Sequence, residues 1–212
     1  MKPGAIKSVL VIVAHPDDET LWAGGTILSH PEWNWFIVCL SRKSDSDRAT
    51  RFYRALKVLG VDGIMGNMDD GPEQVPLAEW ELKQEIIQLL PSINFDLVIT
   101  HNPSGEYTRH IRHEETSRAV IELWNEKKII ANELWTFAYD DQAKQHFPQA
   151  LKIANIFVEL PEKIWNIKYS IITKEFGFDT ESWEAKTTPK GEAFWQFTKT
   201  TDAMHWLSKG GL

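Results

Sequence analysis

Ser8-Val9-Leu10-Val11-Ile12-Val13-Ala14-His15-Pro16-Asp17-Asp18-Glu19 begins with an almost unbroken apolar, β-branched run and ends in a polar cluster. Such a run is typical of a strand buried on both faces. Pro16 cannot donate to a sheet ladder, so the strand must stop there. The residues that follow it therefore stand at the strand's carboxyl end.

Downstream, strand and helix patterns alternate. Leu21 to Ser29 predicts a short helix, weakened by Gly24-Gly25, and Trp35 to Leu40 a second buried strand. After the polar stretch Ser41 to Asp47, Phe52, Ala55, Leu56 and Leu59 fall at helical spacing, and Gly60 stops that helix. Val61 to Met65 and Asp96 to Thr100 are strand candidates. Leu77 to Leu90 and His113 to Lys128 are helix candidates, the second with Lys127-Lys128 at its negative end. This order predicts an α/β, Rossmann-like, mostly parallel sheet flanked by helices on both faces. In such sheets, sites form outside the carboxyl ends of the strands. The last third is less regular. Leu134 to Tyr139 and Ile153 to Leu160 resemble strands, Pro161 to Lys174 a helix, and the tail from Phe176 is rich in Trp and Phe. No repeat or linker divides the chain, so one domain over residues 1–212 is expected.

The chain has 212 residues and a formal net charge of −7, which argues against nucleic acid as the main partner. The lone Cys39 lies in an apolar run and reads as a buried thiol. With no disulfide possible, a reducing compartment fits, and the cytoplasm is the expected location. The N-terminal apolar stretch is too short for a signal peptide, and no segment approaches the ~20 apolar residues of a membrane span. The oligomeric state is left open.

Two clusters carry chemistry. The first is Ala14-His15-Pro16-Asp17-Asp18-Glu19. A strand exit followed by a helix cap explains one Asp. It leaves unexplained a His and two carboxylates crowded at the end of a buried strand. The second is His101-Asn102, then Gly105-Glu106-Tyr107-Thr108-Arg109-His110-Ile111-Arg112-His113-Glu114-Glu115, just past the strand Asp96 to Thr100. His110 and His113 are three apart and would share one face of a helix start. Both clusters follow parallel strands, where distant stretches of chain converge. Two imidazoles and a carboxylate suit a catalytic zinc, which keeps one position for water. Such a water has a pKa of about 7 compared with ~15.7 in bulk. Adjacent Asp17 and Asp18 can divide the tasks of ligand and base.

The first cluster resembles the signature of the PIG-L (LmbE-like) N-acetylglucosaminyl deacetylases, and His110-Ile111-Arg112-His113 resembles their second motif, which usually reads His-Pro-Asp-His. The resemblance covers roughly residues 8 to 125. It implies one Zn2+ per chain held by His15, Asp18 and His113, with Asp17 as general base. It implies that His110, as imidazolium, stabilises an oxyanion or protonates the leaving amine. Arg48 and Asp70 match positions that hold the sugar. The implied substrate is a small-molecule N-acetyl sugar conjugate. This sequence departs from the family at Arg51, where Glu is frequent, at Ile111-Arg112, and at Thr108-Arg109, which adds one residue after Tyr107.

Among Trp165, Trp183, Trp195 and Trp206, packing of outer helices is the favoured role, with covering of the pocket as the alternative. Of the remaining histidines, only His101 stands beside a cluster. The competing functions are hydrolysis of another amide or ester, and a non-catalytic metal-binding module on the same fold. A nucleotide-dependent oxidoreductase is disfavoured, because no Gly-x-Gly-x-x-Gly follows the first strand.

Overall fold

Alternate residues of β1 (Ser8–Val13) divide between two cores. Val9, Val11 and Val13 face one side with Leu21, Trp22, Phe52 and Leu56; Leu10 and Ile12 face the other with Leu82, Ile86, Val120 and Trp124. A pleated strand sends successive side chains to opposite faces, so this division makes β1 the centre of a sheet covered twice. The computed structural model describes residues 6–107 and 109–211.

Around β1 stand β2 (Asn34–Ser41), β3 (Asp62–Met68), β4 (Phe95–Thr100) and β5 (Ala131–Phe137), the five strands all parallel to one another. A short antiparallel pair, β6 (Tyr139–Asp140) and β7 (Gln149–Ala150), follows. β8 (Ile156–Glu159) and β9 (Gly191–Phe197) then extend the main sheet antiparallel, giving the order β3-β2-β1-β4-β5-β9-β8. The chain runs outward from β1 through β2 to β3 and then returns to place β4 on β1's other side. The crevice beyond β1 and β4 is the point where strand order reverses.

Helices α1 (Asp18–Ser29) and α2 (Ser46–Leu59) cover one face with α5 (Glu162–Ser170), which continues into a π-helical turn at Ile171–Glu175. Helices α3 (Glu79–Leu89), α4 (Ile111–Asn125) and α7 (Thr200–Ser208) cover the other. A short α6 (Trp183–Thr187) lies between α5 and β9. α2 starts where the Asp45 side chain accepts the N–H groups of Asp47 and Arg48, and ends at Gly60, whose φ of 75° suits glycine. α1 starts three residues before the expected Leu21, because the Asp17 carbonyl already accepts the N–H groups of Thr20 and Leu21. α4 ends at Asn125, so Lys127 and Lys128 lie in the turn beyond it, not in its last turn.

Gly25 is required rather than merely tolerated. A Cβ there would stand 2.4 Å from both Leu160 methyls and 2.9 Å from Glu192 Oε1. Glu192, the second residue of β9, is fully buried and accepts hydrogen bonds from Gly25 N (2.7 Å), Thr26 N (2.7 Å), Thr26 Oγ1 (2.6 Å) and Lys168 Nζ (2.7 Å). A start at a glycine and a buried glutamate breaks the pattern by which strands are read, which is why β9 is hidden in the aromatic tail. Trp165 stacks on Tyr169, and Trp195 packs on Trp206, as outer packing residues do. Cys39 is free and buried. Among the described residues, no helix is long and apolar enough to cross a membrane.

Candidate active site

Beyond β1 the chain turns sharply, and Asp17 takes a φ of 135°, a value rare for any residue but glycine. The turn separates the two aspartates. Asp18 Oδ1 accepts Trp22 Nε1–H at 3.0 Å, and Asp18 Oδ2 accepts the His15 N–H at 2.9 Å. His15 Nδ1 lies 3.2 Å from Asp18 Oδ2 and 3.2 Å from His113 Nε2, and Asp18 Oδ2 lies 3.3 Å from His113 Nε2. Zinc bonds to such donors measure about 2.0–2.1 Å, so a tetrahedral shell has edges of about 3.3 Å. The three atoms thus form one face of such a shell, and the donor set fits a divalent cation.

Two further trios bring one donor each within 4.8 Å: His15, His110 and His113, and Asp18, His101 and His113. Hydrogen bonding decides against His101 as a ligand. Its Nε2 accepts the Ala14 N–H at 3.0 Å, and its Nδ1 faces Glu106 Oε2 at 2.9 Å. Burial opposes the His101 cation while Glu106 and Asp18 outweigh it, pushing the ring up to about 9. The Ala14 N–H nevertheless needs a lone pair on Nε2, so we assign the neutral ring with its proton on Nδ1.

Glu106 is fully buried, and its Oε2 also accepts His113 Nδ1 at 2.6 Å. Burial works against this carboxylate, but His101 and His113 outweigh it and hold it down at about 2. The anion fixes the His113 ring so that Nε2 is the nitrogen offered to the triangle. Burial likewise opposes the Asp18 anion, and His113 and His101 hold its carboxyl well below the usual range. Asp17 behaves oppositely. Burial, then the charge of Asp18, pushes it well above that range, against the pull of Arg48.

His110 stands at the start of α4, its ring 4.6 Å from that of His15 and 4.5 Å from that of His113. Its Nδ1 is buried without a hydrogen-bond partner among the described residues. Burial, then His113 and His15, lowers its pKa to about 3. The sequence reading expects an imidazolium here, whereas burial and the two neighbouring rings favour the neutral ring with an N–H to offer.

Asp70 reaches the site, but its oxygens are engaged. Oδ1 lies 3.2 Å from His15 Nε2 and accepts Gln74 Nε2 at 3.0 Å, while Oδ2 accepts Arg42 Nε at 3.0 Å. Arg48 touches none of these groups; its guanidinium lies 5.5 Å from the centre of the Phe178 ring. Arg51 pairs with Asp47 at 2.8 Å and donates to the Phe176 carbonyl. Arg112 is fully buried, donating to Glu115 Oε2 at 2.6 Å and to the Val75 carbonyl at 2.9 Å. Glu115 Oε1 in turn accepts the Leu77 N–H at 2.8 Å. The departure between the two histidines thus ties α4 to the loop that carries Asp70. Thr108 lies outside the described residues.

Sequence reasoning assigned no role to Glu106, Arg42 or Trp22. Glu106 stood inside the quoted cluster, yet a lone Glu in a loop carries no periodic signal. Only its distance to two imidazoles reveals it.

The family model for "GlcNAc-PI de-N-acetylase" (PIG-L) matches residues 10–124 of this chain. Among solved structures, the N,N'-diacetylchitobiose deacetylase from Pyrococcus horikoshii superposes with a TM-score of 0.68 at 21% identity, over 91% of this chain and 84% of that one. The teicoplanin deacetylase Orf2 in its zinc-inhibited form gives 0.63 at 15% identity, over 89% and 97%. GalB, the 4-carboxy-2-hydroxymuconate hydratase from Pseudomonas putida, gives 0.62 at 17% identity, over 92% and 97%. At these identities the likeness shows the fold, and the fold alone hosts more than one reaction.

Proposed function

Because the chain belongs to the GlcNAc-PI de-N-acetylase (PIG-L) family, we propose that it is a metal-dependent hydrolase that removes the acetyl group from the nitrogen of an N-acetylglucosamine-type conjugate. His15, Asp18 and His113 hold the metal, taken as zinc, and residues 1–212 form one deacetylase domain. The observation that carries the reading is the triangle of donor atoms with edges of 3.2, 3.2 and 3.3 Å.

A divalent cation held there would supply Lewis acidity, polarising the acetamide carbonyl and acidifying a water. The chain's own groups do the rest. Asp17, adjacent to the triangle in sequence and not part of it, takes a proton from the water that adds to the carbonyl carbon. Its raised pKa makes it a stronger base than an exposed carboxylate. His110 donates its N–H toward the oxygen where negative charge develops; one such donor is worth about 3–4 kcal/mol. The C–N bond then breaks as the nitrogen takes up the proton that Asp17 accepted, giving a free amino sugar and acetic acid, which ionises to acetate. The sugar contacts that the family resemblance implies are Arg48 and Asp70, the latter held by Arg42.

The test is release of free amine by the zinc-loaded protein from a panel of N-acetyl sugar conjugates, with simple esters and open-chain acetamides alongside. Amine from at least one sugar conjugate in preference to the others is the expected result. Turnover confined to esters would move the reading to the other hydrolase class. His113→Ala should lose metal and turnover together; unchanged metal content in that variant would remove the ligand assignment.

A further inference from the structure

Trp183 opens α6 in the C-terminal tail, outside the residues matched by the family model. Its ring packs edge-on against Tyr107, with centroids 4.8 Å apart. Tyr107 in turn stands 5.9 Å from His110 and 5.4 Å from His113, again edge-on. Trp183 is therefore one ring removed from both imidazoles. It also leaves 37% of its surface to water, whereas Trp22, which packs beside Asp18, is fully buried.

Several features hold the indole in place. Ser182 caps α6 by accepting the Ala185 N–H at 3.2 Å, which sets the direction in which the helix leaves. Tyr107 is half-buried and braces one edge. The same tail segment supplies Phe178, beneath the Arg48 guanidinium. A braced indole with an uncovered surface has little rotamer freedom left to lose, so a flat ligand can settle on it at low entropic cost. Open-chain acetamides present no flat face. A pyranose ring does, through its axial C–H groups.

We propose that Trp183 is the platform on which the pyranose ring of the substrate rests, making it a specificity-determining residue for cyclic N-acetyl sugars. The proposal deepens the deacetylase reading and rests on it. The acetamide reaches the His15–Asp18–His113 triangle while the ring it hangs from lies one layer outward, against the indole. Trp165, stacked on Tyr169, and Trp195, tilted against Trp206, pack on rings that do not adjoin the site histidines and have no such part.

The experiment uses the zinc-loaded full chain and the β-methyl glycoside of N-acetylglucosamine. Trp183→Ala and Trp183→Leu are each expected to raise KM by about tenfold, and Trp183→Phe to recover most of that loss. The leucine variant keeps apolar bulk without a flat face, so it separates stacking from simple packing. An unchanged KM in Trp183→Ala, or a leucine variant as good as the phenylalanine one, would overturn the platform while leaving the deacetylase standing. A wild-type protein that frees no amine from any N-acetyl sugar would overturn both.

Discussion

At the scale of single residues, Asp17 is held where its backbone is strained. A non-glycine residue at a φ of 135° costs of order 1–3 kcal/mol. Three hydrogen bonds impose it: the Asp17 N–H to Glu19 Oε2 at 3.1 Å, and the Thr20 and Leu21 N–H groups to the Asp17 carbonyl at 2.9 and 2.8 Å. The proposed division of labour, Asp17 as base and Asp18 as ligand, sits on this strained turn. Asp17→Gly removes both the strain and a carboxylate whose ionisation burial disfavours. It should therefore be at least as stable as the parent in urea unfolding, bind metal, and lose roughly 10²–10⁴ in kcat. A clearly destabilised or still active variant would contradict this account. Glu106 works at the same scale. Its Oε2 serves His101 and His113 at once, and a neutral amide oxygen holds two such N–H donors less well. Glu106→Gln should weaken metal binding by about 10–100-fold in chelator competition; an unchanged affinity would deny it that role.

At the scale of elements, α4 does more than carry two histidines. Arg112 and Glu115 on its first turns bond to Val75 and Leu77, and so pin the loop in which Asp70 meets Arg42 and His15. Arg112→Leu leaves the Val75 carbonyl and Glu115 without that partner, at an expected cost of about 1–3 kcal/mol. Loosening the loop should raise KM for the sugar more than it lowers kcat. Arg112→Lys should recover little of this, because an ammonium lacks the fork that reaches both partners. A kcat loss with unchanged KM would mean that Arg112 acts on the histidines and not through the loop. Element ends were less legible than element interiors. The stripe of α2 and its stop at Gly60 follow from local spacing and local φ, whereas α1's earlier start depends on the Asp17 carbonyl, which only the turn orients.

At the scale of the whole molecule, the buried Glu192 ties the C-terminal third to α1 in the first half. Lys168 of α5 and Glu192 of β9 are both fully buried, 2.7 Å apart, and Glu192 also accepts the Gly25 and Thr26 N–H groups of α1. Because α1 begins at Asp18, a member of the donor triangle, this junction also steadies the candidate site. Lys168→Met leaves a buried carboxylate without its cation and should cost about 3–5 kcal/mol in denaturant unfolding. A loss below 1 kcal/mol would show that the α1 donors, the Gly25 and Thr26 N–H groups with the Thr26 hydroxyl, satisfy Glu192 without the cation. The sheet order has the largest consequence at this scale. Setting β4 beside β1 brings His113 to His15 across 98 residues of chain.

The residues alone determined what local chemistry controls. The apolar run Val9 to Ala14, its halt at Pro16 and the strand–helix alternation sufficed for a parallel sheet, and the two polar clusters marked where that sheet is reactive. These features depend on periodicity and on the reach of a few bonds, so they can be read without coordinates. Only the tertiary structure decided which donors remain available. His101 is removed by an N–H 87 positions away, His113 is oriented by Glu106, Asp70 is engaged by Arg42, and a strand containing Glu192 exists because distant groups compensate its burial. Each is a choice of hydrogen-bond partner made in space, where separation along the chain carries no information.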